Sequence, residues 1–205
     1  NGVMLEDRGT LLFLFHRNYR EAFICKSTDE GLTWSQPEDI TYAYMALRDR
    51  YHWTVAAAGP GHGLRMKNGR LLVPVWLCKN PANITSHHPS VVTTLYSNDG
   101  GLSWCCGEII PASEELVDPN ESAVAEVEGG VLINMRHETP VRFRKTAFSS
   151  DGISGWTDFR FDRSLPDPVC FGSIAGAGGK TWFVNCASQT DRVNVTVRES
   201  RDGCA

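Results

Sequence analysis

Glu121 and Arg136 bracket the segment ESAVAEVEGGVLINMR, and the pair Gly129-Gly130 lies between them. Apolar positions on either side of that pair give the pattern of a β-hairpin turning at Glu128 to Gly130. Strands 122–127 and 131–136 then run antiparallel. Glu121 and Arg136 fall opposite each other, to within a residue or two, at the open end. A carboxylate in such a place can accept a proton. A planar guanidinium can hold a ligand carboxylate through two parallel hydrogen bonds, a geometry that lysine cannot reproduce. The same two residues also make a plain cross-strand ion pair on a surface. A further guanidinium, Arg192, stands ahead of the run VNVTV, where an exposed loop charge would also stand. Trp76, at the end of LLVPVW, is either pocket wall or core. His52 reads as a site histidine, a satisfied one or a loop residue.

Other patterns carry less chemistry. GPGHG, at Gly59 to Gly63, is followed by no helix and ends in no Lys-Ser/Thr, so it reads as a turn feeding a strand rather than a phosphate loop. Arg136-His137-Glu138 has no second ligand at helical spacing, so no metal is expected there. The seven cysteines (Cys25, Cys78, Cys105, Cys106, Cys170, Cys186 and Cys204) include no CxxC pair. An odd count with two neighbours adjacent is a poor disulfide framework, and free, mostly buried thiols are expected. Lys and Arg number 20 against 24 Asp and Glu, a net charge of -4, and the basic residues are scattered. Without a basic stripe to follow a phosphate backbone, no nucleic-acid partner is expected. The runs LLFLF and VPVWL are too short to cross a bilayer, so no membrane span is expected.

These side chains must be positioned by something, and the chain repeats itself. STDEGLTW begins at Ser27, SNDGGLSW at Ser97 and SSDGISGW at Ser149, while Ser200, Asp202 and Gly203 open a fourth copy. The spacing, about fifty residues once the longer first interval is given an insertion at CKNPANITSHHPS (Cys78 to Ser90), is that of a β-propeller blade. Hairpins are expected around Asp7-Arg8-Gly9, Asn68-Gly69 and Gly129-Gly130, each followed by a third strand that runs into the octet and then a fourth. No run keeps helical spacing with caps. The fold class is therefore all-β, a propeller of four-stranded blades, about four of them. It is read as a single domain over residues 1–205 that looks cut at both ends. In the octet, Ser and Asp can bind nearby backbone N–H groups, Gly takes the left-handed turn and Trp buries its face. That is architecture, with nothing poised for acid-base work.

The octet S-x-D-x-G-x-[TS]-W is the Asp-box. With it come WTVAAAGPGHGLRMKNGRLLVPVW, NESAVAEVEGGVLINMR and DRVNVTVRESRDG, in order along nearly the whole chain. Together these resemble the sialidase (neuraminidase) superfamily, the exo-α-sialidases with Asp-box (BNR) repeats. The resemblance implies a six-bladed propeller, here incomplete, that hydrolyses terminal α-linked sialic acids of glycoproteins, glycolipids and oligosaccharides with retention and without a cofactor. It makes Glu121 the partner of a tyrosine nucleophile, Arg136 and Arg192 two of three arginines on the sugar carboxylate, and Trp76 and His52 pocket residues. His52 replaces an acidic residue of some relatives, which weakens recognition of the sugar's glycerol chain. The first arginine, an acid/base aspartate and the nucleophile match no position in this chain. A non-catalytic glycan- or protein-binding propeller is the alternative, and a relative cleaving another acidic sugar a third reading. Of the sequons at Asn83, Asn120 and Asn194, the second adjoins Glu121, so it is expected to be unmodified. That mildly favours a bacterial secreted, periplasmic or cytosolic protein over a glycosylated lumenal one, with secreted or periplasmic weakly preferred to cytosolic.

Overall fold

The computed structural model describes residues 2–79 and 87–200. The first blade holds β1 (Gly2–Asp7), β2 (Thr10–Arg17), β3 (Glu21–Ser27) and β4 (Glu38–Asp39), and is followed by a short helix α1 (Thr41–Met45). The second holds β5 (Val55–Ala58), then β6 (Gly61–His62), β7 (Leu64–Arg65), β8 (Leu71–Cys78), β9 (Ser90–Ser97) and β10 (Cys105–Cys106). The third is β11 (Ser122–Val127), β12 (Gly130–Met135), β13 (Phe143–Ser149) and β14 (Thr157–Pro166). The last described strands are β15 (Ser173–Ala177), β16 (Lys180–Cys186) and β17 (Val195–Ser200). Within each blade the successive strands form an antiparallel meander, so the expected order of three strands, octet and fourth strand holds in the first three blades. The architecture is a β-propeller. Helix α1 was not expected from the sequence, because five residues are too few to show a 3.6-residue period.

The hairpins turn where the residues allow it. Asp7 pairs with Thr10, leaving Arg8 and Gly9 at φ 52° and 84°, the positive pair that a two-residue type I′ turn requires. The segment GPGHG does more than feed a strand. Pro74 accepts a hydrogen bond from Gly59 N (2.9 Å) on its inner side, so its nitrogen, which has no proton, faces that side too. There the inner strand leaves β8: β5 pairs with Val75–Cys78, β7 with Leu71 and Leu72, and between them Gly61 and His62 pair in parallel with Val3 and Met4 of the first blade. A Cβ on Gly61, at φ 116°, would sit 2.9 Å from the Phe171 ring.

Apolar layers lie between successive blades. All eight residues of β8 are buried. Leu71, Val73, Val75 and Leu77 face the first blade with Leu12, Leu14 and Trp53, while Leu72, Trp76 and Cys78 face the third with Val124 and Ile133. A strand covered on both faces reads as a continuous apolar run, and each such side chain contributes about 1.5–3 kcal/mol. Ala125, Leu132, Ile174 and Phe183 form the next layer.

The octets lie at the ends of β3, β9 and β13 and bond as their residue types predict. Ser27 Oγ donates to Asp29 Oδ1 (2.7 Å) and accepts from Gly31 N (2.9 Å), and Thr33 N donates to Asp29 Oδ1 (2.9 Å). The second copy repeats this with Ser97, Asp99, Gly101 and Ser103, and buries Trp104. Trp34 departs from expectation: it is 38% exposed. The insertion CKNPANITSHHPS does connect β8 to β9, but its residues 80–86, with the Asn83 sequon, lie outside the described residues. So do Cys204 and most of the fourth octet. The other six cysteines are free: Cys25 and Cys78 are buried, Cys106, Cys170 and Cys186 half-buried, and Cys105 exposed.

Candidate functional site

The β11–β12 hairpin pairs Ser122 with Met135, and the ladder continues one residue further: Arg136 N donates to Glu121 O (3.1 Å) and Asn120 N to Arg136 O (3.0 Å). Glu121 and Arg136 are thus directly opposite each other, at the blade end remote from the octets. Arg136 Nε lies 3.6 Å from Glu121 Oε2, its Nη2 lies 3.1 Å from Glu138 Oε1, and its Nη1 donates to Asn120 Oδ1 at 2.7 Å. Among the described residues Nε has no hydrogen-bond partner, so this guanidinium keeps an unused donor. The Glu121 side chain is 29% exposed and that of Arg136 18%, sheltered enough for charges to matter and open enough for a ligand to reach.

Asn120 organises the pair. Its Oδ1 also accepts from Glu121 N (2.7 Å), its Nδ2 donates to Asp118 O (3.1 Å), and the residue is only 2% exposed. An amide so buried and so fully bonded has no room for a glycan without breaking the hairpin end. Asn120 and Glu138 were both missed as site residues, the first read only as a sequon and the second only as part of a failed metal motif. The neighbouring glutamate and arginine were the clue.

On the side of the first two blades, Trp76 is 2% exposed, and its ring lies 4.8 Å from that of His87 and 6.4 Å from that of Tyr19. His87 and Tyr19 are 5.7 Å apart. Burial and the neighbouring His88 lower the pKa of His87; Glu121 and Arg136 lie within electrostatic reach and act on it in opposite directions. Neither Tyr19 nor His87 is legible in the sequence as a site residue. Asn18-Tyr19 resembles no favoured turn pair, and the histidines sit in an insertion without a pattern.

Arg192 lies on the other side, in the exposed loop between β16 and β17, where its Nη2 donates to Val169 O (3.2 Å). That loop is held to the third blade by Gln189 Nε2, which donates to Arg142 O (3.3 Å). Beneath it the buried Arg144 donates to Asn134 Oδ1 (2.6 Å) and Cys170 O (2.7 Å), with Asp167 at 3.5 Å. Arg192 therefore shares the end of the blades that carries Glu121 and Arg136. Among the described residues, no hydrogen bond or ion pair joins it to either. His52 precedes β5 at this same end, exposed between buried Tyr51 and Trp53. No hydrogen bond, ion pair or ring contact links it to Glu121, Arg136 or Trp76 among the described residues. Glu121 and Arg136 thus face each other at one blade end, with Trp76 buried beside His87, and Arg192 and His52 stand at that same end without a hydrogen bond or ion pair to the pair among the described residues.

The family model of the BNR repeat-like domain matches residues 1–205. Sialidase-3 of Rattus norvegicus is 30% identical over 173 residues, covering 78% of this chain and 39% of that protein. A sialidase of Bacteroides fragilis is 31% identical over 189 residues, covering 88% of this chain and 32% of that protein. Among solved structures, Hadza microbial sialidase Hz136 superposes with a TM-score of 0.80 at 23% identity, over 98% of this chain and 43% of its own. The chain spans about two fifths or less of the length of these relatives.

Proposed function

We propose, for a chain that belongs to the BNR repeat-like domain family, that it supplies part of the active centre of an exo-α-sialidase acting on terminal sialic acids of glycoconjugates. The observation that carries this reading is the pairing of Glu121 with Arg136 across a hairpin end, with Arg192 on the same rim. Arg136 and Arg192 bind the sugar's carboxylate. Its position beside the anomeric carbon makes an anionic nucleophile unfavourable, and a neutral tyrosine, the known departure from the two-carboxylate rule, avoids the repulsion. Glu121 takes the tyrosine proton as the hydroxyl attacks, and later returns it as water displaces the tyrosine. An aspartate protonates the leaving oxygen and, left deprotonated by that step, takes the proton that the incoming water gives up. Two inversions give retention. This reading assigns the tyrosine, the aspartate and a first arginine to no position in these 205 residues and needs them supplied from elsewhere.

The test is release of the fluorophore from a fluorogenic sialoside by the full natural chain, with uronides as controls. The reading predicts sialoside cleavage that Glu121→Ala nearly abolishes, and little or no turnover by residues 1–205 alone. An Ala variant with wild-type activity would remove Glu121 from the mechanism. Sialic acid binding without hydrolysis would point to a glycan-binding propeller instead.

A further inference from the structure

Of the non-glycine residues at positive φ among the described residues, only Val169 is β-branched, and at φ 61° its branched side chain crowds the backbone. Strain of this kind persists where the surroundings over-determine it. Here both flanks are pinned. On one side Asp167 N donates to Arg142 O (3.0 Å), and on the other Cys170 O accepts from Arg144 Nη1 (2.7 Å). Asp167 Oδ1 closes the turn, 3.4 Å from Cys170 N and 3.5 Å from Arg144 Nη1, in an ion pair whose side chains are at most 2% exposed. With both ends fixed, residue 169 cannot leave the left-handed region without breaking one of these bonds. Its carbonyl is thereby turned to the Arg192 guanidinium and accepts from Nη2 at 3.2 Å. The loop that carries Arg192 hangs from the same frame: Gln189 Nε2 donates to Arg142 O (3.3 Å), and Asn185 Nδ2 to Pro166 O (2.7 Å).

We infer that Val169 is the positioning residue of Arg192: its left-handed backbone presents a carbonyl that holds the guanidinium in place, and the buried Arg144–Asp167 pair keeps that backbone strained. This rests on the sialidase reading above, in which Arg192 binds the sugar's carboxylate. A long exposed side chain loses rotamer freedom when a ligand immobilises it, and that loss weakens binding. An arginine already tied by one Nη2 proton has lost part of it beforehand. Its Nε and Nη1 protons make no hydrogen bond among the described residues, so donors remain for a carboxylate. Arg136 is held differently, by the side chains of Asn120 and Glu138 around its own hairpin end. Arg192, on an exposed loop, has a main-chain carbonyl at a strained residue in their place. The arrangement needs only the backbone conformation of residue 169. Glycine, which adopts positive φ freely, can therefore replace valine, whereas proline, fixed near −65°, cannot. The Val169 N–H donates to no backbone acceptor among the described residues, so proline removes no such bond.

The experiment is a double-mutant cycle on the full natural chain, read as kcat/KM on a fluorogenic sialoside, with a thermal melt of each variant. With Arg192 present, Val169→Pro should lower kcat/KM about tenfold, mainly through KM, the loss of one hydrogen bond from a charged group. In an Arg192→Ala background the same substitution should cost less than about twofold. Val169→Gly should recover most of the loss that Val169→Pro causes. If Val169→Pro is too unstable to assay, Asp167→Asn, which loosens the same turn, carries the cycle. Equal losses in the two backgrounds would overturn the inference, because a merely structural role for residue 169 does not depend on Arg192. A Gly variant as impaired as the Pro variant would overturn it as well, by assigning the effect to the side chain rather than the backbone. If wild type cleaves the sialoside and Val169→Pro matches it, this inference alone fails. If wild type neither cleaves nor binds the sialoside, the sialidase reading fails and takes the inference with it.

Discussion

The two ends of these blades solve opposite problems. At the octet end, Ser27, Ser97 and Ser149 each close a turn with the aspartate two residues on, and that carboxylate is used up by hydroxyl and backbone donors within its own loop. At the other end, among the described residues, Arg136 is shared among Glu121, Glu138 and Asn120 with Nε unbonded, while Arg192 bonds the Val169 carbonyl. The octet carboxylates are satisfied and their turn is repeated; the charged cluster is written once. Self-contained hydrogen bonding stabilises a fold, whereas spare donors and strained backbone suit a surface that waits for a ligand.

That contrast can be broken by mutation. In the full natural chain Glu121→Gln, nearly isosteric, should lower kcat on the order of 10³-fold while leaving the unfolding midpoint almost unchanged. A large loss of stability with activity retained would reverse the assignment of the two ends. Arg136→Lys keeps the charge and loses the fork, so kcat/KM should fall about a hundredfold, equivalent to about 3 kcal/mol. A smaller drop in kcat/KM than in stability would mark Arg136 as a structural ion pair. At the octet end the sign inverts. Ser97→Ala leaves the buried Gly101 N–H without its acceptor and should cost about 1–3 kcal/mol in denaturant unfolding, with KM and kcat unchanged.

The smallest effect concerns pH. Hydrogen bonds from the side chain and backbone of Thr33, and from Ser27, lower the Asp29 pKa to about 2. A depressed carboxylate pKa stabilises the fold fully above the unfolded value, about 3.9, and the contribution disappears as pH falls toward the folded one. Wild type and Asp29→Asn should therefore differ by a constant midpoint above about pH 4.5 and converge between about pH 4 and 2. A difference that persists at the acid end would mean that those hydrogen bonds do not select the ionised form.

The octet end was legible because its physics is local. Ser, Asp, Gly and Trp at fixed offsets determine their own turn, and each repetition strengthens the reading. The Glu121–Arg136 register was legible for a related reason, since a two-residue turn before Gly130 fixes which residues face each other. Trp76 was ambiguous because β8 is covered on both faces, so wall and core look alike in sequence. Tyr19, His87 and Arg144 were not legible. Each owes its place to another blade or to a loop pinned from another blade, and no spacing along the chain encodes that. His52 is a suitable residue type at a plausible position, exposed between two buried aromatics, and among the described residues no hydrogen bond, ion pair or ring contact joins it to Glu121, Arg136 or Trp76.

The central claim is that the charged end receives an acidic sugar. A crystal structure of the full natural chain with sialic acid tests it most directly. The account predicts the ligand carboxylate within hydrogen-bonding distance of both the Arg136 and the Arg192 guanidinium groups, with Glu121 beside the anomeric carbon. Sialic acid bound elsewhere, or bound with Arg192 turned away toward solvent, would contradict it.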